Sequence, residues 1–436
     1  MPKTIKKRAA PNVYGLLMGA TALAGMVPAL LTYAVDPYEM FHGTSHPKAY
    51  GELAEKAHYP LWKFTHFDGT ADTVILGDSR ARALRNKYWH EFGATGAYNF
   101  AYGGGTIPEI YATFKKVSGN PNLKNLVVGI QLRSFDESHK GGMNRVPEAV
   151  KATASGVSYL KNWFVARKSW DFFLRKNQAT IDTAARMVPQ LISAAEAADM
   201  GKPGTTGVDK LLQPEICFGC DFPDAAAAAI NTHFRAKGPN LGLGRGDRHL
   251  DYDIWRGTIE LPDHSLPVKF SKQVEKNARS DWKTFKFSSR YMKMMEEIAQ
   301  WADARDDRNL VFVVPPTIVE MQNTISVYGL ASLDLSLRQK LSALAPVIDF
   351  DFPNDKTRQF SNFTDAYHFD SKFARQIVGE ILMVQGATAE QQKRIAKRRN
   401  GVECPTLSLV KEVPASAIGA SVTGQACRLW TGDDDV

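Results

Sequence analysis

A parallel-sheet α/β fold is the class this sequence predicts, and three observations carry it. Short apolar runs recur at 73–76, 126–130, 310–314 and 347–350, without the alternation of a half-exposed strand. Runs of that kind read as strands buried on both faces, as in a parallel sheet covered by helices. Stretches with apolar residues at helical spacing separate them, so strand and helix alternate. The 436 residues are 44% hydrophobic and 23% charged, which is ample for a large core.

The elements follow in chain order. Residues 1–12 are a tail carrying Lys3, Lys6, Lys7 and Arg8, and residues 13–35 are uncharged and mostly apolar. At about 1.5 Å per helical residue, that run crosses a hydrocarbon core of roughly 30 Å. The basic tail then stays cytoplasmic, and the remainder lies outside a bacterial inner membrane, in the periplasm. The run is long for the core of a signal peptide and no strong A-x-A site follows, which favours an uncleaved anchor. Residues 36–70 are a juxtamembrane segment rich in aromatics and proline. The strand at 73–76 opens a core half at 71–140, followed by a second strand at 98–100. Glycines 103–105 and a helix begun by Thr106 and Pro108 come next, then the strand at 126–130.

The rhythm stops over 141–285, which reads as an insertion, helical around 157–197 and loop-rich over 201–257. Trp163, Trp170 and Phe172 there suit either core packing or stacking on sugar rings. The second core half, 286–386, holds a helix near 288–304, strands at 310–314 and 347–350, and a helix from 371 to 383. The last 35 residues of the tail, 387–436, look loosely ordered.

Formal net charge is +8, concentrated in the N-terminal tail and at Lys393, Arg394, Lys397, Arg398 and Arg399. No basic stripe interleaved with aromatics runs through the middle, which argues against nucleic acid. The second cluster suits a membrane surface, an anionic glycan or a solvated helix face. Four cysteines fit an oxidising compartment, with Cys217–Cys220 and Cys404–Cys427 as the expected disulfides. CFGC has no second pair of ligands nearby, so no metal is expected, and no dinucleotide fingerprint implies an organic cofactor.

Two motifs carry chemistry. Ser79, in Leu76-Gly77-Asp78-Ser79-Arg80, lies just past a parallel strand, where α/β sheets bind ligands. Serine or aspartate there is equally a common helix cap. Asp365-Ala-Tyr-His368 precedes the last helix, with Asp370 as its N-cap. A histidine can take the serine proton while an aspartate three residues away orients the imidazole.

Together these motifs resemble blocks I and V of the SGNH (GDSL-like) hydrolase superfamily, over about 71–137 and 286–386. The resemblance implies a flavodoxin-like three-layer α/β/α sandwich with Ser79 as nucleophile, His368 as base and Asp365 as orienting acid. It also implies an oxyanion hole formed by the Ser79 N–H and one glycine, Gly104 or its neighbours Gly103 and Gly105. The family's block III asparagine is missing after Gly129-Ile-Gln-Leu-Arg, so Gln131, Arg133 or Asn99 is the candidate donor. GDSRARAL, YNFAYGGGTIPE and VVGIQLRSFDE are also similar to membrane-anchored SGNH-like proteins of bacterial envelope polysaccharide systems. That likeness implies an esterase or O-acetyltransferase acting on polysaccharide, beside a multi-spanning acyl-transfer membrane protein. Arg80 and Arg133 are then candidates for binding an anionic substrate. The alternative is a non-catalytic scaffold that binds glycan.

Overall fold

The computed structural model describes residues 26–42, 55–138, 143–178, 265–277, 282, 285–327, 330–396, 406–408 and 427–431. The chain divides into two units: Met1–His66 with Pro147–Cys217, and Phe67–Val146 with Phe218–Val436.

The second unit is α/β. Its first half holds β1 (Thr73–Gly77), α1 (Ser79–Arg82), α2 (Asn86–Glu91), β2 (Ala97–Asn99), α3 (Ile107–Val117) and β3 (Asn125–Gly129). Then come α4 (Val268–Lys276), α5 (Ser289–Asp303), β4 (Asn309–Val314), α6 (Val319–Val327), α7 (Ala331–Ser342), β5 (Val347–Asp349) and α8 (Ser371–Val384). Five strands run parallel in the order β2-β1-β3-β4-β5. All five runs read as strands are strands. β1 is buried at every position and β4 at all but its first, so both faces are covered, as unbroken apolar runs require.

Helix capping follows the local sequence. Glu109, in the first turn of α3, accepts from the Thr106 N–H at 3.1 Å. Asp370 caps α8 by accepting from the Lys372 and Phe373 N–H groups at 3.0 and 2.8 Å. On α8, Phe373, Ile377 and Ile381 repeat every four residues and are buried in one cluster with Trp89, Phe92, Val311 and Ile348.

The tail departs from expectation. Two of its segments form β6 (Thr406–Ser408) and β7 (Arg428–Thr431), and β7 pairs antiparallel with β5. Strands this short show no periodicity, and what orders them is the unpaired edge of β5. Cys427, fully buried, is disulfide-bonded. Cys217, Cys220 and Cys404 lie outside the described residues.

The expected insertion is divided between the two units, and near its end it contains the helix α4. The first unit contains helices at Tyr59–Thr65, Gly156–Leu160 and Trp163–Lys176. Within the region read as helical around 157–197, Asn162 separates two helices, its side chain accepting from the Val165 N–H to start the second. Residues 26–35 are also helical, with Met26, Val27, Leu30 and Tyr33 exposed. Buried Asp36 turns the chain after it, accepting from the N–H groups of Met40, Phe41 and His42. Residues 13–25 lie outside the described ones, and among the described residues no helix is long and apolar enough to cross a membrane.

Candidate active site

From β1 the chain runs to β2 on one side and then returns past β1 to β3 on the other, so the carboxyl ends of β1 and β3 flank a topological switch point. Gly77 and Gly129 end those strands side by side. A Cβ on Gly77 would stand 2.5 Å from Ala81 Cβ and 2.7 Å from the Gly129 carbonyl oxygen, and one on Gly129 would meet Ala81 at 2.6 Å. The two glycines therefore let α1 fold directly onto the strand ends. Its cap is Asp78, whose carboxylate accepts from the Arg80 N–H at 2.9 Å. Because Asp78 takes the capping role, the Ser79 hydroxyl is left for other work.

That hydroxyl lies 2.7 Å from His368 Nε2, and His368 Nδ1 lies 2.8 Å from Asp365 Oδ1. A carboxylate can only accept, so Nδ1 carries the proton and Nε2 accepts from Ser79. Asp365 Oδ1 also accepts from the backbone N–H groups of Tyr367 and His368, each at 3.0 Å. A bridge between Phe363 and Phe369 closes this loop, and the Thr364 N–H donates to the His368 carbonyl at 2.7 Å. Burial works against ionising Asp365. The His368 hydrogen bond and charge, the Tyr367 N–H and nearby Lys269 outweigh it and hold the carboxyl well below the usual carboxylate range. The result is a hydroxyl bonded to an imidazole whose far N–H is bonded to an ionised carboxylate. In that arrangement the serine proton can pass to the imidazole as the oxygen attacks a carbonyl carbon.

The other sequence candidates separate. Gly105 packs against β1, since a Cβ on it would lie 2.7 Å from the Gly77 carbonyl oxygen. Its own N–H donates to the Tyr102 carbonyl at 3.1 Å. Gly104 has a left-handed φ of 69°, which favours glycine. Asn99 is not a donor to the site. Its amide nitrogen donates to the Ala81 and Leu84 carbonyls at 2.9 and 2.8 Å, and its oxygen accepts from the Ala101 N–H. It is a buried brace for the turn after α1, a role decided by two backbone carbonyls 18 and 15 residues away.

Arg80 is also not a substrate contact. It is 3% exposed, pairs with Asp78 at 2.5 Å and donates to Gln131 Oε1. Burial would raise the Asp78 pKa, but the charge and hydrogen bonds of Arg80 dominate and lower it. Gln131 stands two residues past Gly129, as Ser79 stands two past the paired Gly77. With its oxygen held by Arg80, its amide nitrogen donates to no protein group among the described residues. Arg133 is half-buried in a 3-10 turn, Leu132–Phe135, beyond it. In the other unit, Phe172 is buried, while Trp163 is 75% exposed beside a groove of about 880 Å³ that Lys151, Lys161 and Arg167 also line.

No protein-family model, curated protein or solved structure matches the chain. The function must therefore be argued from the site itself. Sequence reasoning missed Lys269, whose ammonium lies 3.4 Å from Asp365 Oδ2, because α4 falls in the stretch taken as insertion. Val268, Phe270 and Val274 were the only local hint of a helix there.

Proposed function

We propose that this chain is a membrane-anchored, periplasmic SGNH-like serine esterase or O-acyltransferase that acts on acyl groups of envelope or exported polysaccharide. The observation carrying the proposal is the continuous hydrogen-bonded series Ser79–His368–Asp365 at the carboxyl end of a parallel sheet. The strand order β2-β1-β3-β4-β5 supports a flavodoxin-like sandwich, whose ligands bind at this edge. The uncharged run 13–35 supports the anchor, and a disulfide-bonded Cys427 supports an oxidising compartment.

In this scheme Ser79 attacks an ester carbonyl, His368 takes its proton and then protonates the leaving alkoxide, and an acyl-serine forms. Water or a sugar hydroxyl, deprotonated by His368, attacks the acyl-serine and releases Ser79. The Ser79 N–H, a glycine of the 103–105 loop and the Gln131 amide are the candidate oxyanion donors. Within the first unit, exposed Trp163 with its neighbouring cations supports binding of an anionic glycan. A multi-spanning membrane protein is the expected acyl supplier if the enzyme is a transferase.

A second reading, a glycan-binding scaffold, is favoured by one observation: the Asn99 amide is fully committed to backbone carbonyls. A fluorophosphonate probe separates the two. The enzyme labels, and Ser79→Ala abolishes labelling; no labelling where a control serine esterase reacts supports the scaffold.

A further inference from the structure

α4 meets the acid–base loop through one polar face. Lys269, Gln273 and Asn277 stand four residues apart, one per turn, and so share a side of the helix. Lys269 Nζ donates to the Thr364 carbonyl at 3.1 Å and lies 3.4 Å from Asp365 Oδ2. Gln273 Oε1 accepts from the Ala366 N–H at 2.8 Å. Asn277 Nδ2 donates to the Tyr367 hydroxyl at 3.3 Å. Successive turns of the helix thus hold successive residues of the segment between Thr364 and His368.

The grip has two further supports. The Ala366 carbonyl accepts from the Ile318 N–H at 3.3 Å, so both backbone groups of this residue are held. Asn277 is itself fixed, because its oxygen accepts from Trp282 Nε1 at 2.5 Å and from the Thr324 hydroxyl of α6. A different face of α4, Phe270 and Val274, is buried in the core, so packing alone does not require the three polar contacts.

Building on the acyl-transfer reading of Ser79, His368 and Asp365, we propose that Lys269, Gln273 and Asn277 are positioning residues for this triad. The helix that closes the insertion then belongs to the catalytic apparatus: it sets where Asp365 and His368 stand relative to Ser79. Lys269 adds a positive charge beside the pair. Among the described residues, Asp78 before α1 interacts electrostatically with His368, and Lys269 on α4 with Asp365.

The test measures kcat and KM for p-nitrophenyl acetate, with thermal melts, on the full-length protein. Gln273→Met keeps the length of the side chain and removes the acceptor. A displacement on the order of 1 Å in such a loop costs about a hundredfold in rate, so kcat falls by about ten- to a hundredfold with KM within about twofold. Gln273→Glu keeps the acceptor and retains most of kcat. Lys269 has a side chain 62% exposed, so Lys269→Met folds normally. Its kcat falls by about three- to tenfold with KM within about twofold, because the Thr364 carbonyl and Asp365 lose the group that holds them. Lys269→Arg restores most of kcat.

A lowered melting temperature with unchanged kcat in Gln273→Met, and an unchanged kcat in Lys269→Met, overturn the proposal while Ser79 dependence stands. A wild type that does not turn over the ester, or a Ser79→Ala variant as active as wild type, overturns the acyl-transfer reading, and the positioning role falls with it.

Discussion

Replacing Asp365 with asparagine is the most informative single change at this site. The carboxylate bonds to His368 Nδ1 at 2.8 Å and is ionised across the neutral range. When His368 takes the Ser79 proton, a full positive charge forms within about 4 Å of that carboxylate. At an effective dielectric constant of about 20, such a pair is worth about 4 kcal/mol. The His368 side chain is 33% exposed, which screens part of this and leaves roughly 2–4 kcal/mol. At about 1.4 kcal/mol per decade, Asp365→Asn lowers kcat by roughly thirty- to a thousandfold. The backbone N–H groups of Tyr367 and His368 still find an acceptor in the amide oxygen, so the loop keeps its shape and KM changes little. The assay is steady-state hydrolysis of p-nitrophenyl acetate, with circular dichroism to show the fold is intact. A folded variant retaining more than a third of wild-type kcat refutes the assignment of Asp365 to His368. The same depressed carboxyl makes Asp365 a stabilising group above the ordinary aspartate range, and that contribution is lost as pH falls through its folded value.

Three further outcomes are expected. Burial raises the Glu320 pKa to about 7 from 4.5, so the contribution of Glu320 to folding stability is full below about pH 4.5 and is lost as pH rises through 7. Urea melts of Glu320→Gln lack that decline, which amounts to about 3 kcal/mol in the wild type. Gly77→Ala forces a Cβ to within 2.5 Å of Ala81 at a φ of 146°; stability falls by about 1–3 kcal/mol, and fluorophosphonate labelling slows as α1 is pushed off the strand ends. Arg80→Met strips Asp78 of its buried partner and costs about 3 kcal/mol in chemical denaturation, and Arg80→Lys does not restore it because one guanidinium serves both Asp78 and Gln131. An Arg80→Met variant with unchanged stability and a raised KM returns Arg80 to the substrate site.

Much of the core was legible in the sequence because its determinants are local. Short apolar runs marked four of the five parallel strands and the 98–100 segment marked the fifth, and Asp370 announced α8 with the capping chemistry any exposed helix end uses. Ser79, Asp365 and His368 were readable for a related reason. Each sits where a strand or helix boundary places it, and boundaries are written in short motifs. Gly77 and Gly129 belonged to those motifs too, although only the register of β1 on β3 explains why both must lack a side chain.

What the tertiary structure alone decided concerns partners far apart in the chain. Arg80 and Arg133 were candidates for an anionic substrate and Asn99 for the oxyanion hole; burial committed Arg80 to Asp78 and Gln131, and Asn99 to the turn after α1. Nothing near residues 406–408 or 428–431 marks a strand, yet the open edge of β5 makes them two. Lys269, Gln273 and Asn277 lie about 90 residues from the loop they hold, and no local pattern links them to it. Local sequence sets a residue's backbone state and its chemistry. Which charge it neutralises and which hydrogen bond it completes depends on what folding brings within about 3 Å of it, and that is a property of the whole chain.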